Sequence, residues 1–102
     1  MNEFETGTEQ VLQHMRDDYA TMSFGNQHFE VGVVKGRAYD KIVILNEAGE
    51  PRSAAGFIVK KDSGKFRRGD LLKAASWSAP AKNFPRGNIL EGRFNGVRWT
   101  GV

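Results

Sequence analysis

Between Lys60 and Arg98 the chain carries ten cations, Lys60, Lys61, Lys65, Arg67, Arg68, Lys73, Lys82, Arg86, Arg93 and Arg98. Only Asp62, Asp70 and Glu91 oppose them, so this stretch has a net charge of +7. Phe66, Trp77, Phe84, Phe94 and Trp99 are interleaved with the cations. Cations that track phosphates, combined with aromatic faces that stack on bases for about 1–3 kcal/mol each, are what single-stranded nucleic-acid binding requires. The contacts expected on this basis are Lys61, Lys65, Phe66, Arg67, Arg68, Lys82 and Arg86, with Trp77 and Phe84 as stacking platforms. Phe66 lies in the charged, glycine-bounded run 60–70, which reads as a hairpin tip and places its ring at the surface. Phe94 and Trp99 are assigned mainly to the core, because a domain of this size must bury several of its aromatics to fold.

Other constellations are weaker. His14 stands three and four residues before Asp17 and Asp18, a helical spacing that brings the three together, but one histidine and two solvated acids make a poor metal site. His28 opens a strand beside Phe29 and reads as structural. The sequence contains no glycine-flanked nucleophilic serine, P-loop, dinucleotide fingerprint or recognisable carboxylate pair, so an enzyme is not expected, nor a cofactor or metal. With no cysteine at all, disulfide scaffolds, thiolate metal sites and thiol catalysis are excluded.

The elements that must position these residues follow from periodicity. Thr6 and Glu9 have capping-box spacing, and Val11, Leu12, Met15, Tyr19 and Met22 recur at helical intervals, which predicts an acidic amphipathic helix over 8–22 ended by Gly25 and Asn26. From 28 to 102 the chain is basic and β-rich. Phe29, Val31 and Val33 alternate as a half-buried strand, while Tyr39–Leu45 holds the continuous run Ile42-Val43-Ile44-Leu45 expected of a central strand buried on both faces. Asn46–Pro51 is a turn by composition, Ala54–Lys60 a third strand and Leu71-Leu72 a fourth. Phe94-Asn95-Gly96-Val97 has the composition of a type I′ hairpin closed by Trp99. Trp77 to Asn88, with Pro80 and Pro85, is a long, stiff, non-helical loop. The fold class is therefore α+β, an N-terminal amphipathic helix on a twisted antiparallel sheet or small, partly open barrel of roughly five or six strands.

At 102 residues, 39% of them apolar and 26% charged, the chain suits a single globular domain over 1–102. No apolar run approaches the ~20 residues a membrane span requires, and the acidic start Met1-Asn2-Glu3-Phe4-Glu5 is unlike a signal peptide, so a cytoplasmic location is expected. The total charge of +3 conceals a bipolar chain. Residues 1–34 carry six acids against Arg16 alone, a net of −5, and residues 35–102 carry fourteen Lys and Arg against six acids, a net of +8. A basic segment of that strength attracts polyanions.

The run Gly69-Asp70-Leu71-Leu72-Lys73-Ala74-Ala75-Ser76-Trp77-Ser78-Ala79-Pro80-Ala81-Lys82, followed by Arg86-Gly87-Asn88-Ile89, resembles a set of small tailed-bacteriophage proteins with the pattern G-D-x-x-K-A-A-S-W-x-A-P-A-K and then R-G-N-I. Tyr39–Val43 and Gly56–Val59 are similar to the strands that precede the motif in that set. The chain departs from it in the basic insert Lys65-Phe66-Arg67-Arg68 and in its N-terminal helix. The resemblance covers about half the chain and implies a phage source, hence the host cytoplasm, without implying a chemistry. Two functional classes are expected from the whole reading: a nucleic-acid-binding protein preferring single strands, or a small accessory protein that binds a host or phage protein such as a polymerase, nuclease or defence complex.

Overall fold

The computed structural model describes residues 2–21, 29–94 and 96–102. Its first element, α1, runs Glu3–Ala20, starting five residues before the 8–22 that the periodicity predicts. The capping box is made by Asn2 and Glu5: the Asn2 side chain accepts from the Glu5 N–H at 2.8 Å, and the Glu5 carboxylate accepts from the Asn2 N–H at 3.3 Å. Thr6 lies inside the helix, its N–H already bonded to the Asn2 carbonyl. The early start is explained by Phe4, which extends the apolar stripe of Val11, Leu12 and Met15 by nearly two turns and is buried with them. Gly7 allows the close approach this needs, since a Cβ there would lie 2.5 Å from the Ile89 carbonyl oxygen. The helix closes on Thr21, so the expected stop at Gly25 and Asn26, together with Met22, His28 and Asn95, lies outside the described residues.

Four strands follow, not five or six: β1 (Glu30–Val34), β2 (Tyr39–Leu45), β3 (Pro51–Val59) and β4 (Leu71–Leu72). They form one antiparallel meander in the order β1-β2-β3-β4, an open sheet rather than a barrel. Two register shifts, between Ile42 and Val43 and between Ile44 and Leu45, bend the β2–β3 pair. Pro51 belongs to β3, and the preceding turn is held by the Asn46 carboxamide, which accepts from the Ala48 and Glu50 N–H groups.

What had the pattern of further strands becomes irregular chain, because its hydrogen bonds form isolated bridges rather than continuous ladders. Along the outer side of Leu71, Arg86 donates to the Leu71 carbonyl, Leu71 donates to Gly87 and Ile89 donates to Gly69. The C-terminal residues form only an isolated bridge between Arg98 and Gly101 before Val102 donates to the Ala55 carbonyl.

The sheet separates two apolar clusters. On the helix side Phe4, Val11, Leu12 and Met15 pack with Val31, Ile42, Ile44, Ile58, Leu71, Ile89 and Val97. On the other side Phe57, Val59, Phe66 and Leu72 form a smaller cluster with Tyr39 and Ala74 against it. Phe94 packs partly buried against the helix-side cluster, and Trp99 meets Tyr19 and Phe29 edge-on at 5.2 and 5.9 Å. Among the described residues no helix is long and apolar enough to cross a membrane.

Candidate functional site

The sheet face opposite α1 is lined by alternate residues of β2. Tyr39 and Lys41 lie two apart on one strand and therefore share a face, beside Phe57 of β3, whose ring meets Tyr39 edge-on at 6.0 Å. Ala74 pairs with Pro80 and Ala79 accepts from Ala75 and Ser76, so the 74–80 segment is a tight excursion carrying Trp77 at its tip. The indole returns over the sheet. Lys41 Nζ stands 3.7 Å from its ring centroid, while 47% of Trp77 remains exposed. A cation over an indole at this distance contributes about 0.5–2 kcal/mol and holds the ring in place without covering it. Lys82, two residues past Pro80, brings its ammonium to 5.9 Å from the Tyr39 ring.

A recess of about 250 Å³ adjoins this surface, between Tyr39 and Phe66, with Lys61, Asp62 and Ser63 at its rim. Lys65 flanks it, its ammonium 5.4 Å from the Phe66 ring centroid and donating to the Asn83 carbonyl at 2.6 Å, which ties the crossover loop down beside the recess. Among the described residues Lys41, Lys61, Lys65 and Lys82 have no ion pair. The surface therefore combines unneutralised ammonium groups with accessible ring faces.

The residues singled out from sequence do not all reach this face. Phe66 is the main correction: it is buried, with 8% exposure, in the cluster of Phe57, Val59 and Leu72. Ser63 and Phe66 exchange backbone hydrogen bonds, and Val59 and Gly69 clasp the base of the 60–70 segment, so the presumed tip folds back and inserts its ring beneath the sheet. Burial of an aromatic of this size outweighs the charged composition around it. Phe66 can thus wall the recess from inside the core but is no free stacking platform.

Arg67 and Arg68 are also diverted. Arg67 Nη2 donates to Glu91 Oε2 at 2.6 Å, and Arg93 Nε donates to Glu91 Oε1 at 2.6 Å. The Arg93 hydrogen bond, with the nearby Arg67 charge, holds the Glu91 carboxyl below its ordinary value of 4.5. The Arg68 guanidinium lies 4.8 Å from the ring of Phe4, a helix-side residue. Four consecutive residues, 65–68, are thereby divided between the two sides of the sheet. Phe84 is 54% exposed with the Arg86 guanidinium 4.5 Å from its ring, as a surface platform requires.

Two groups of residues escaped the sequence reading. Tyr39 and Lys41 read as part of the central strand, and their i, i+2 spacing at its start is the signal that places them on one face. Lys73 and Arg98 join Arg86 around a second cleft that no local spacing announces. The trio His14, Asp17 and Asp18 has a structural use: His14 Nε2 donates to the Val97 carbonyl at 3.0 Å, Asp18 accepts from the Trp99 N–H at 2.9 Å, and Asp17 accepts from Gln13. Among the described residues no cluster of three His, Cys, Asp or Glu suited to a metal occurs.

The motif residues form a buried hydrogen-bonded knot rather than a reactive site. Asp70, 2% exposed, accepts from the Arg67 N–H and from Asn88 Nδ2, and Asn88, also 2% exposed, donates to the Arg68 carbonyl and accepts from the Leu90 and Glu91 N–H groups. Gly69 has φ +92°, and a Cβ on Gly87 would lie 2.3 Å from the Arg93 carbonyl oxygen. The two halves of the motif meet here because each supplies the other's polar partners.

Fold and site together define a small α+β protein in which a helix covers one face of a bent antiparallel meander and a cationic, aromatic surface occupies the other. The chain belongs to a family of unknown function, DUF7717, whose family model matches residues 2–101. No curated protein and no solved structure matches it.

Proposed function

We propose that this is a nucleic-acid-binding protein, a binder rather than an enzyme, that takes a single strand across the sheet face opposite α1. The observation that carries the reading is the convergence of Tyr39, Lys41, Trp77 and Lys82 on one face, with the ring of Trp77 held by Lys41 yet nearly half exposed. A base stacks on Trp77, the adjoining recess between Tyr39 and Phe66 accepts a neighbour, and Lys41, Lys61, Lys65 and Lys82 meet the phosphates. Phe84 and Arg86 extend the path along the crossover loop. A single strand suits this arrangement better than a duplex, because only unstacked bases offer their faces to a ring. The phage resemblance supports the host cytoplasm as the place where it acts.

Fluorescence anisotropy with labelled oligothymidylate and oligouridylate at low salt tests the reading, and intrinsic tryptophan emission gives a second readout. Saturable binding with quenching that disappears in Trp77→Phe is expected. Absence of any anisotropy change at low salt would end the proposal and turn attention to a protein partner.

A further inference from the structure

A second cleft, of about 360 Å³, is lined by Lys73, Arg86 and Arg98 together with Gly96, Thr100 and Gly101. We infer that it is a phosphate-binding site. The three cations come from separate stretches of chain: Lys73 directly follows β4, Arg86 lies in the crossover loop and Arg98 in the C-terminal turn. Their meeting is a product of the fold, not of a basic run. No acidic side chain lines the cleft; Val102, the last residue of the chain, also lines it, but among the described residues none of the three cations is in an ion pair with its carboxylate or with any other. Three like charges around one hollow repel one another, and an anion there relieves that cost.

The donors are matched to phosphate in kind. Two are guanidinium groups, whose planar forks suit bidentate contact with phosphate oxygens. That of Arg86 is supported on the Phe84 ring at 4.5 Å, which restricts its orientation before any ligand arrives. Gly96 and Gly101 leave the rim without side chains, and Thr100 adds a hydroxyl. The Arg98–Gly101 turn that presents them is closed by two backbone hydrogen bonds, of 2.9 and 3.0 Å. The ligand is therefore a phosphate group, carried on the end of a nucleic-acid strand or free in solution. The site shares Arg86 with the proposed strand path but makes no use of Trp77, so its failure and the failure of the stacking reading are distinguishable.

The test is a titration with inorganic pyrophosphate followed by amide NMR of Gly96, Thr100 and Gly101 and by the arginine Nε–H signals. Saturable shifts confined to these groups are expected, weakened about tenfold or more in Arg98→Gln and in Lys73→Gln and unchanged in Trp77→Ala. Both charge variants are exposed side chains, and a thermal melt confirms that each is folded. Shifts that rise linearly over the whole surface, or equal affinity in the folded Arg98→Gln and Lys73→Gln variants, overturn the assignment. Comparing an oligonucleotide with and without a 5′-phosphate separates the sources. A preference for the phosphorylated strand that is lost in Arg98→Gln assigns a strand end, whereas pyrophosphate binding without that preference assigns the free anion.

Discussion

At the scale of single residues, Trp77 and Phe66 have opposite duties although both are aromatics within a basic segment. Trp77 is nearly half exposed, so Trp77→Ala should lower oligonucleotide affinity about 5- to 150-fold, the equivalent of one base stack, while stability falls by no more than about 2 kcal/mol as the Lys41 contact is lost. Phe66→Ala should instead cost about 3–5 kcal/mol in urea denaturation, because it empties the smaller cluster beside Phe57, Val59 and Leu72. The same pair of measurements distinguishes the roles. A Phe66→Ala protein as stable as the parent would contradict the burial, and a Trp77→Ala protein that binds as tightly as the parent would remove the stacking platform.

At the scale of elements, the connections rather than the strands are where stability is concentrated in few residues. Asn88→Ala removes a donor from buried Asp70 and an acceptor from two N–H groups, and about 2–3 kcal/mol of destabilisation is expected in chemical denaturation. The helix start offers a cleaner comparison: Asn2→Ala should cost about 1 kcal/mol, whereas Thr6→Ala, away from the cap, should cost much less. The Glu91 cluster gives a pH signature. Its carboxyl titrates below 4.5 in the folded state, chiefly through the Arg93 hydrogen bond, so its stabilising contribution is complete above pH 4.5 and is lost as pH falls through the folded value. The stability difference between the parent and Glu91→Gln should therefore be constant above pH 4.5 and vanish on further acidification. Midpoints of urea unfolding measured across that range check the sign.

For the whole molecule, the sheet separates charge as well as core. The acidic helix covers one face, and the ammonium groups of Lys41, Lys61, Lys65 and Lys82 surround the other. Oligonucleotide affinity should fall steeply with salt, and the Lys41→Gln, Lys82→Gln double variant should reduce the log–log slope by about 1.4, since each phosphate neutralised on a single strand contributes about 0.7. Arg67→Gln with Arg68→Gln should leave the slope unchanged, because one side chain is held by Glu91 and the other lies against Phe4. A slope that responds to the arginine pair and not to the lysine pair would place the strand on the wrong side of the sheet here.

The α+β class, the amphipathic helix, the three longer strands and the basic, aromatic character of the second half are legible in the residues alone. These depend on local periodicity, which a strand or helix expresses whatever lies around it. Even so, Phe4 is buried in a cluster that includes Ile89 from the far end of the chain, and the cap that starts the helix is Asn2 with Glu5 rather than Thr6 with Glu9. Tertiary structure alone decided which cations share a surface. From 60 to 70 and from 73 to 102 the chain has no sustained period, and its course is set by single long-range hydrogen bonds to Val59, Leu71, Gly69 and Ala55. Those bonds turn Phe66 inward, send Arg67 and Arg68 to other partners, and bring Lys73, Arg86 and Arg98 together. A side chain on irregular backbone takes its direction from the partners its neighbours find, and those partners are far away in sequence.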